Sequence, residues 1–362
     1  IQETPWLRDA QSETEQKKRI ALLFNLNKMK SERAIALNKL KQNQKSSGAW
    51  PWFNGGPDSR FVTQHIIAGL GHLKKLNVTL SPVEAQNGNM VQNAMKYLDN
   101  EFVKEYNLMK RYASNINDDH LSHTQIHYLY MRSLFKEFKT SKKVIDIQAY
   151  YMGQAQKYWK NKGLYSQGLL ALILHRNTDE KTSVKILRAL EENSITSEKL
   201  GMYWKENTSS WHWYQAPIET QALLIEAFSE IHPKQIETID NLKIWLLKNK
   251  QTNQWKTTKA TTEAVYALLL QGSDWLAVTD AVEILIGGEK IEPTKLKNVK
   301  VEAGTGYYKT AWNGAEVKSK MADVQISKKG DGIAWGALYW QYFEDLDKIS
   351  SAETPLKLKK QL

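Results

Sequence analysis

The sequence predicts a mainly α fold, with helical hairpins closed into a toroid and a small antiparallel β region after it. Three observations predict it. An aromatic loop hands over to a helix in GAWPWFNGGPDSRFVTQHIIAGLGHL (48–73), and weaker echoes return at 201–224 and 254–270. The loops between hairpins fall near Trp50, Asn117, Gly163, Tyr203 to Trp213 and Trp255, mostly about 45 residues apart, a helical-hairpin repeat length. After Gly272 the segments VEILIGG, VKVEAG, GYYKTAW, ADVQIS and IAWGALYWQYF alternate apolar and polar residues between Gly-rich turns.

Each element has a local reason. Ser12 with Glu15 forms a capping box for a helix to about Met29. Ser31, with Glu32 in the first turn, opens a second helix to about Gln44. Pro51, Gly55, Gly56 and Pro57 break the aromatic loop, and Ser59 caps a helix to Leu76. Val62, Ile66, Leu70 and Leu73 form its apolar face. Ser81-Pro82 marks a break before a long helix over 88–112, with Met90, Ala94, Tyr97 and Leu98 on one side.

Asn115 to Asp119 is a turn cluster, and helices follow at about 121–138, 144–161, 164–176 and 179–195. The loop 196–214 is rich in Trp and Tyr and is expected to be ordered by packing. The last helices are expected at about 215–231, 233–248 and 259–272, which makes eleven. One hairpin cannot bury its apolar face alone, so neighbours stack, into an open superhelix or a ring of six inner and six outer helices. The aromatic loops favour the ring, because indoles can plug helix ends at one mouth. The resulting division is a toroid over 1–276, a β-rich part over 277–350 and a linker or start of another domain over 351–362.

Composition excludes several chemistries. The 362 residues include no cysteine, which removes disulfides, thiolate zinc sites, thiol catalysis and internal thioesters. Lys and Arg outnumber Asp and Glu by 50 to 39, a net charge of +11. The basic residues are spread among Glu and Gln on helix faces and no nucleic-acid motif accompanies them, so they read as solvated surface. No apolar run reaches the ~18 residues of a membrane span. The opening IQETPW is not a signal peptide and reads as the start of an excised piece. GxSxG, P-loop and GxGxxG motifs are absent, and no cofactor is implied.

Two groups of side chains stand out. Trp50, Trp52, Phe53, Trp204, Trp211, Trp213 and Trp255 are expected as an aromatic cluster at the ring mouth. His120, His123 and His127 are spaced to share one helix face, beside Asp119. Zinc would accept such imidazoles, but HExxH and a second ligand cluster are missing, so local hydrogen bonding is the expected role and no metal is assigned. Asp118-Asp119 reads as a helix cap rather than an acidic cyclase motif. A polysaccharide hydrolase or lyase would use two carboxylates across the mouth. Glu219, Glu226 and Glu263 are candidates beside the Trp residues, against the expectation that they are solvated.

ETPWLRDAQSETEQKKRIALLFNLNKM followed by the aromatic-loop segment resembles the thioester-domain region of bacterial alpha-2-macroglobulin-like proteins. IAWGALYWQYFEDLDKI with ETPLKLKKQL is similar to the strands and exit segment after that domain. The resemblance covers nearly the whole chain. It implies an (α/α)6 toroid of the terpenoid-cyclase type, inserted into a CUB-like domain to which the β region belongs. It also implies protease inhibition by entrapment in a periplasmic or surface parent. Implied partners are proteases and neighbouring macroglobulin-type domains, with no nucleic acid, and no catalytic turnover. The family's Cys-x-Glu-Gln thioester is a stored electrophile that acylates a captured protease once uncovered. Without cysteine the motif is not in residues 1–362 and is expected upstream of Ile1. The family's acyl-transfer histidine would fall within Asn115 to His127, where the accompanying Asp-Gly-aromatic pattern is missing.

Overall fold

The structure is a computed structural model that describes residues 26–78, 88–197, 200–209, 216–252, 257–270, 282–296, 299, 308–328 and 338–339. The Ser12–Glu15 box, the Ser81-Pro82 break, Trp211, Trp213, Trp255, most of the segments VKVEAG and IAWGALYWQYF, and the tail lie outside the described residues. The chain divides into two compact units, residues 1–272 with 302–307 and residues 273–301 with 308–362. The fold is mostly helical with a small antiparallel β part, as the periodicity predicts.

The described helices of the first unit are α1 (Leu26–Asn43), α2 (Arg60–Lys75), α3 (Gly88–Tyr112), α4 (His123–Ser133) and α5 (Lys142–Tyr158). They continue with α6 (Leu164–Arg176), α7 (Glu180–Glu192), α8 (Pro217–Ile231), α9 (Ile236–Thr252) and α10 (Thr258–Leu269). Alternate helices form an inner set, α2 against α4, α4 against α6, α6 against α8 and α8 against α10. Helices α3, α5, α7 and α9 pack outside them. The first described inner helix also meets the last described one, because His72 of α2 stacks on Tyr266 of α10 with ring centroids 3.9 Å apart. The inner helices therefore close on themselves. Five are described, against six expected.

Sequence separates the two sets. In α6 the run Leu169 to Leu174 is wholly buried, the pattern of a helix enclosed on all sides. In α7 burial falls on Ser183, Ile186, Leu187 and Leu190, one stripe at helical period, as an outer helix requires. The predicted face of α2 is corrected on the same ground. Leu73 is exposed, while Thr63, Gln64 and His72 are buried with Ile67 and Leu70. An inner helix touches both neighbours, an outer helix and the ring centre, so a one-stripe template misplaces its polar residues.

Other expectations shift. The break at Ser31 is absent, and α1 runs through it. No Gly or Pro interrupts 26–43, and Ser31 is tolerated inside a helix at small cost. The helix expected over 121–138 is only His123–Ser133. The start of the loop 196–214 is a short hairpin, β1 (Ile195–Ser197) with β2 (Gly201–Tyr203), in antiparallel register Thr196 to Met202. Strands of three residues lie below the reach of a period-two pattern.

In the second unit β3 (Glu283–Ile286) lies between β4 (Glu289–Lys290) and β5 (Val324–Ser327), all antiparallel. Gly287 and Gly288, at φ 60 and 78, make the two-residue turn whose twist matches the flanking strands. The part of GYYKTAW that is described, Tyr308 to Trp312, is not a strand.

Candidate functional site

The centre of the ring holds a polar hub built at the C-terminal ends of the inner helices. Glu226 of α8 is 1% exposed and receives four donors from four other helices. Arg176 Nη2 of α6 donates at 2.6 Å, Lys75 Nζ of α2 at 3.1 Å, Tyr130 Oη of α4 at 2.6 Å and Tyr266 Oη of α10 at 3.0 Å. All five described inner helices thus meet on one carboxylate. Glu230, one turn on, takes Arg176 Nε at 2.7 Å and pairs with Lys75. Lys75 and Arg176 are the last residues of their helices, where the negative helix terminus favours a cation.

The protonation states follow. Burial alone would raise the pKa of Glu226, but the charges of Arg176, Lys75 and His72 and the Tyr130 hydrogen bond outweigh it. The carboxyl is held well below the usual carboxylate range. Burial, then the Glu226 charge, keeps Tyr130 and Tyr266 protonated far beyond neutral pH. Since Tyr130 gives its only proton to Glu226, its oxygen accepts from His72 Nε2 at 2.7 Å. His72 Nδ1 then faces Glu263 Oε2 of α10 at 3.7 Å.

Beside the hub, between α2 and α10, lies a cavity of about 250 Å³. His65, Gly69, His72, His127, Tyr165, Lys259 and Glu263 are among its lining residues. A hydrogen-bond chain leads into it. Arg60 pairs with Glu105 and donates Nε to Gln64 Oε1 at 2.7 Å, which fixes the amide orientation. Gln64 Nε2 donates to His127 Nδ1 at 3.1 Å, so the proton of His127 sits on Nε2 and is given to His65 Nδ1 at 3.1 Å. Burial, then the Lys259 charge, pushes the His65 pKa down to about 3. Burial, then His65, His123 and Lys259, also lowers His127.

Both imidazoles are neutral, and His65 carries its proton on Nε2.

The sequence-predicted residues scatter over this frame. Trp50 is buried and gives Nε1–H to the Leu40 carbonyl at 2.8 Å, while Trp204 gives its own to the Leu190 carbonyl at 2.7 Å. Each acceptor lies in the last turn of α1 or α7; the Leu40 carbonyl also takes the Gln44 N–H at 3.1 Å. Trp52 and Phe53 do not join Trp50. They are 62% and 69% exposed, and Trp52 stacks on Phe61 at 5.7 Å. His123 and His127 share a face of α4, ring centroids 5.9 Å apart. His120 precedes the helix and turns to the Asn115 carbonyl at 2.8 Å, which corrects the expectation of three histidines on one face. Among the described residues no group of three or more His, Cys, Asp or Glu is placed to hold a metal.

The expectation of solvated glutamates is also corrected, since Glu219 is 4% exposed and Glu226 is enclosed. Neither is a free carboxylate at a mouth. Among the described lining residues Glu263 is the one carboxylate on the cavity. The hub itself escapes motif reading, though a lone Glu inside the apolar run ALLIEAF and an Arg closing LLALILHR are its visible signs.

No family model and no curated protein matches the chain. Among solved structures it is similar to native alpha-2-macroglobulin from Escherichia coli spanning domain MG7 to the C-terminus. The two are 12% identical, with a TM-score of 0.45 over 82% of this chain. The chain spans 40% of that structure's length. No described helix is long and apolar enough to cross a membrane.

Proposed function

We propose that this chain is a non-catalytic carrier and docking portion of a bacterial alpha-2-macroglobulin-like protein that inhibits endopeptidases by entrapment. On this reading 1–276 is the thioester-type toroid, 277–350 belongs to a CUB-like domain and 351–362 leads into a further domain. The partners are proteases and neighbouring macroglobulin-type domains, and the parent is periplasmic or surface-exposed. The sequence resemblance of the aromatic-loop segment suggests the family. The observation that carries the non-catalytic role is the saturated hub, in which Glu226 is tied to Arg176, Lys75, Tyr130 and Tyr266. A glycosidase on such a ring needs two carboxylates roughly 5 to 9 Å apart with access to substrate. Here the central carboxylate is spent on joining helices.

The test uses the parent protein mixed with a serine endopeptidase. Entrapment predicts that cleavage of casein falls while cleavage of a small chromogenic peptide persists. If casein is cut at the uninhibited rate, or if both activities vanish together, the reading fails.

A further inference from the structure

Two glycines in one helix turn have opposite surroundings. A Cβ on Gly71 would sit 2.6 Å from Leu134 Cδ1 and 3.1 Å from Phe135 Cε2, so close packing of α2 on the segment after α4 demands it. A Cβ on Gly69 would meet nothing within 4 Å. A glycine inside a helix costs about 0.5 to 1 kcal/mol against alanine, and no packing accounts for that cost at position 69. What its missing side chain leaves open is the cavity between α2 and α10, on which Gly69 lies.

The lining gives that space a chemistry. Its aromatic walls are Tyr165, His65 and His127, with Ala68 and Leu223 as apolar contacts. Lys259 brings a positive charge close enough to press on both His65 and His127. Between these imidazoles the hydrogen-bond chain leaves the His65 proton on Nε2, a neutral donor. Thr258 and Thr262 add hydroxyls at the exposed side. The negative group, Glu263, faces His72 at 3.7 Å. The volume equals about eight waters at ~30 Å³ each, the size of a single substituted ring.

We infer that the cavity between α2 and α10 binds a small aromatic carboxylate, its anionic head held by Lys259 and His65 and its ring between the aromatic walls. This site adjoins the hub through Tyr130 and His72 and does not depend on the entrapment reading. A ligand there touches the first and last inner helices and so fastens the seam of the ring.

Benzoate is the probe, with benzylammonium and benzyl alcohol as shape-matched controls, titrated by calorimetry into the full chain. Nine non-hydrogen atoms support micromolar to millimolar affinity. The site predicts that benzoate binds at least tenfold tighter than either control and raises the melting temperature. Lys259→Met weakens benzoate about tenfold, and Gly69→Leu, which fills the space, abolishes binding while far-UV circular dichroism stays native. Gly69→Ala, the milder filling, weakens benzoate severalfold and serves if the leucine variant does not fold. Absence of benzoate binding to the native chain, undiminished binding in the filled variants, or preference for benzylammonium overturns the inference.

Discussion

Glu226 concentrates what the ring costs and gains at a single residue. Replacing it with glutamine keeps the shape but leaves Glu230 as the one carboxylate on Arg176 and Lys75, so the cost falls below the about 3 to 5 kcal/mol of a wholly uncompensated buried charge. Glu226→Gln is therefore expected to lower the denaturation midpoint in guanidinium, read by circular dichroism, and equal stability would remove the hub from the account. Acid should act on the same centre. His65 and His127 have folded pKa values below their unfolded value of about 6.5, so the unfolded chain binds more protons as pH falls. Their stabilisation is complete above about pH 6.5 and declines below it, by up to about 1.4 kcal/mol per pH unit for each buried imidazole. Glu226, depressed as a carboxylate, adds loss in the same direction below its ordinary pKa. The melting temperature is expected to be flat from pH 8 to 7 and to fall steadily from pH 6 to 4. A flat profile to pH 4 contradicts the neutral, buried imidazoles.

At the scale of elements, the aromatic loops act as stoppers for the ends of α1 and α7. Gly48 and Gly201 precede Trp50 and Trp204 and take φ values of 91 and 74. An added Cβ would lie 2.3 Å from the Asn93 carbonyl oxygen or 2.2 Å from that of Asn241, so each loop lies flat on the next outer helix. Trp50→Phe keeps much of the apolar burial and loses the Leu40 hydrogen bond, an expected cost of about 1 to 3 kcal/mol. Trp52→Ala, on an exposed ring, is expected to change stability by less than about 1 kcal/mol. Chemical denaturation of the two variants separates them, and equal losses would refute the division between Trp50 and Trp52. This division was not legible in the sequence, because Trp50 and Trp52 sit in one loop and only the turn of the backbone decides which indole enters. The helix 164–176 and the Ser59 cap were legible, since apolar period and a hydroxyl before the first turn are local signals. The hub was not, because Lys75, Tyr130, Arg176, Glu226 and Tyr266 are brought together only by ring closure. The β1–β2 hairpin and the uninterrupted α1 were not legible for a related reason, as short-range rules cannot weigh what tertiary packing permits.

For the whole first unit, the claim from which the rest follows is that inner helices α2 and α10 are neighbours. The chain has no cysteine, so single cysteines placed at exposed Leu73 and Leu269 would be the only labelling sites. Neighbouring inner helices lie roughly 10 Å apart, whereas five of them in an open row would place the first and last about 35 to 40 Å apart. Double electron–electron resonance between spin labels at these two positions reads that difference directly. A closed ring predicts a single distribution centred below about 25 Å, allowing for the label arms on helices roughly 10 Å apart. A distribution centred beyond about 35 Å, the span of an open row, would contradict ring closure, the Glu226 hub and the cavity together.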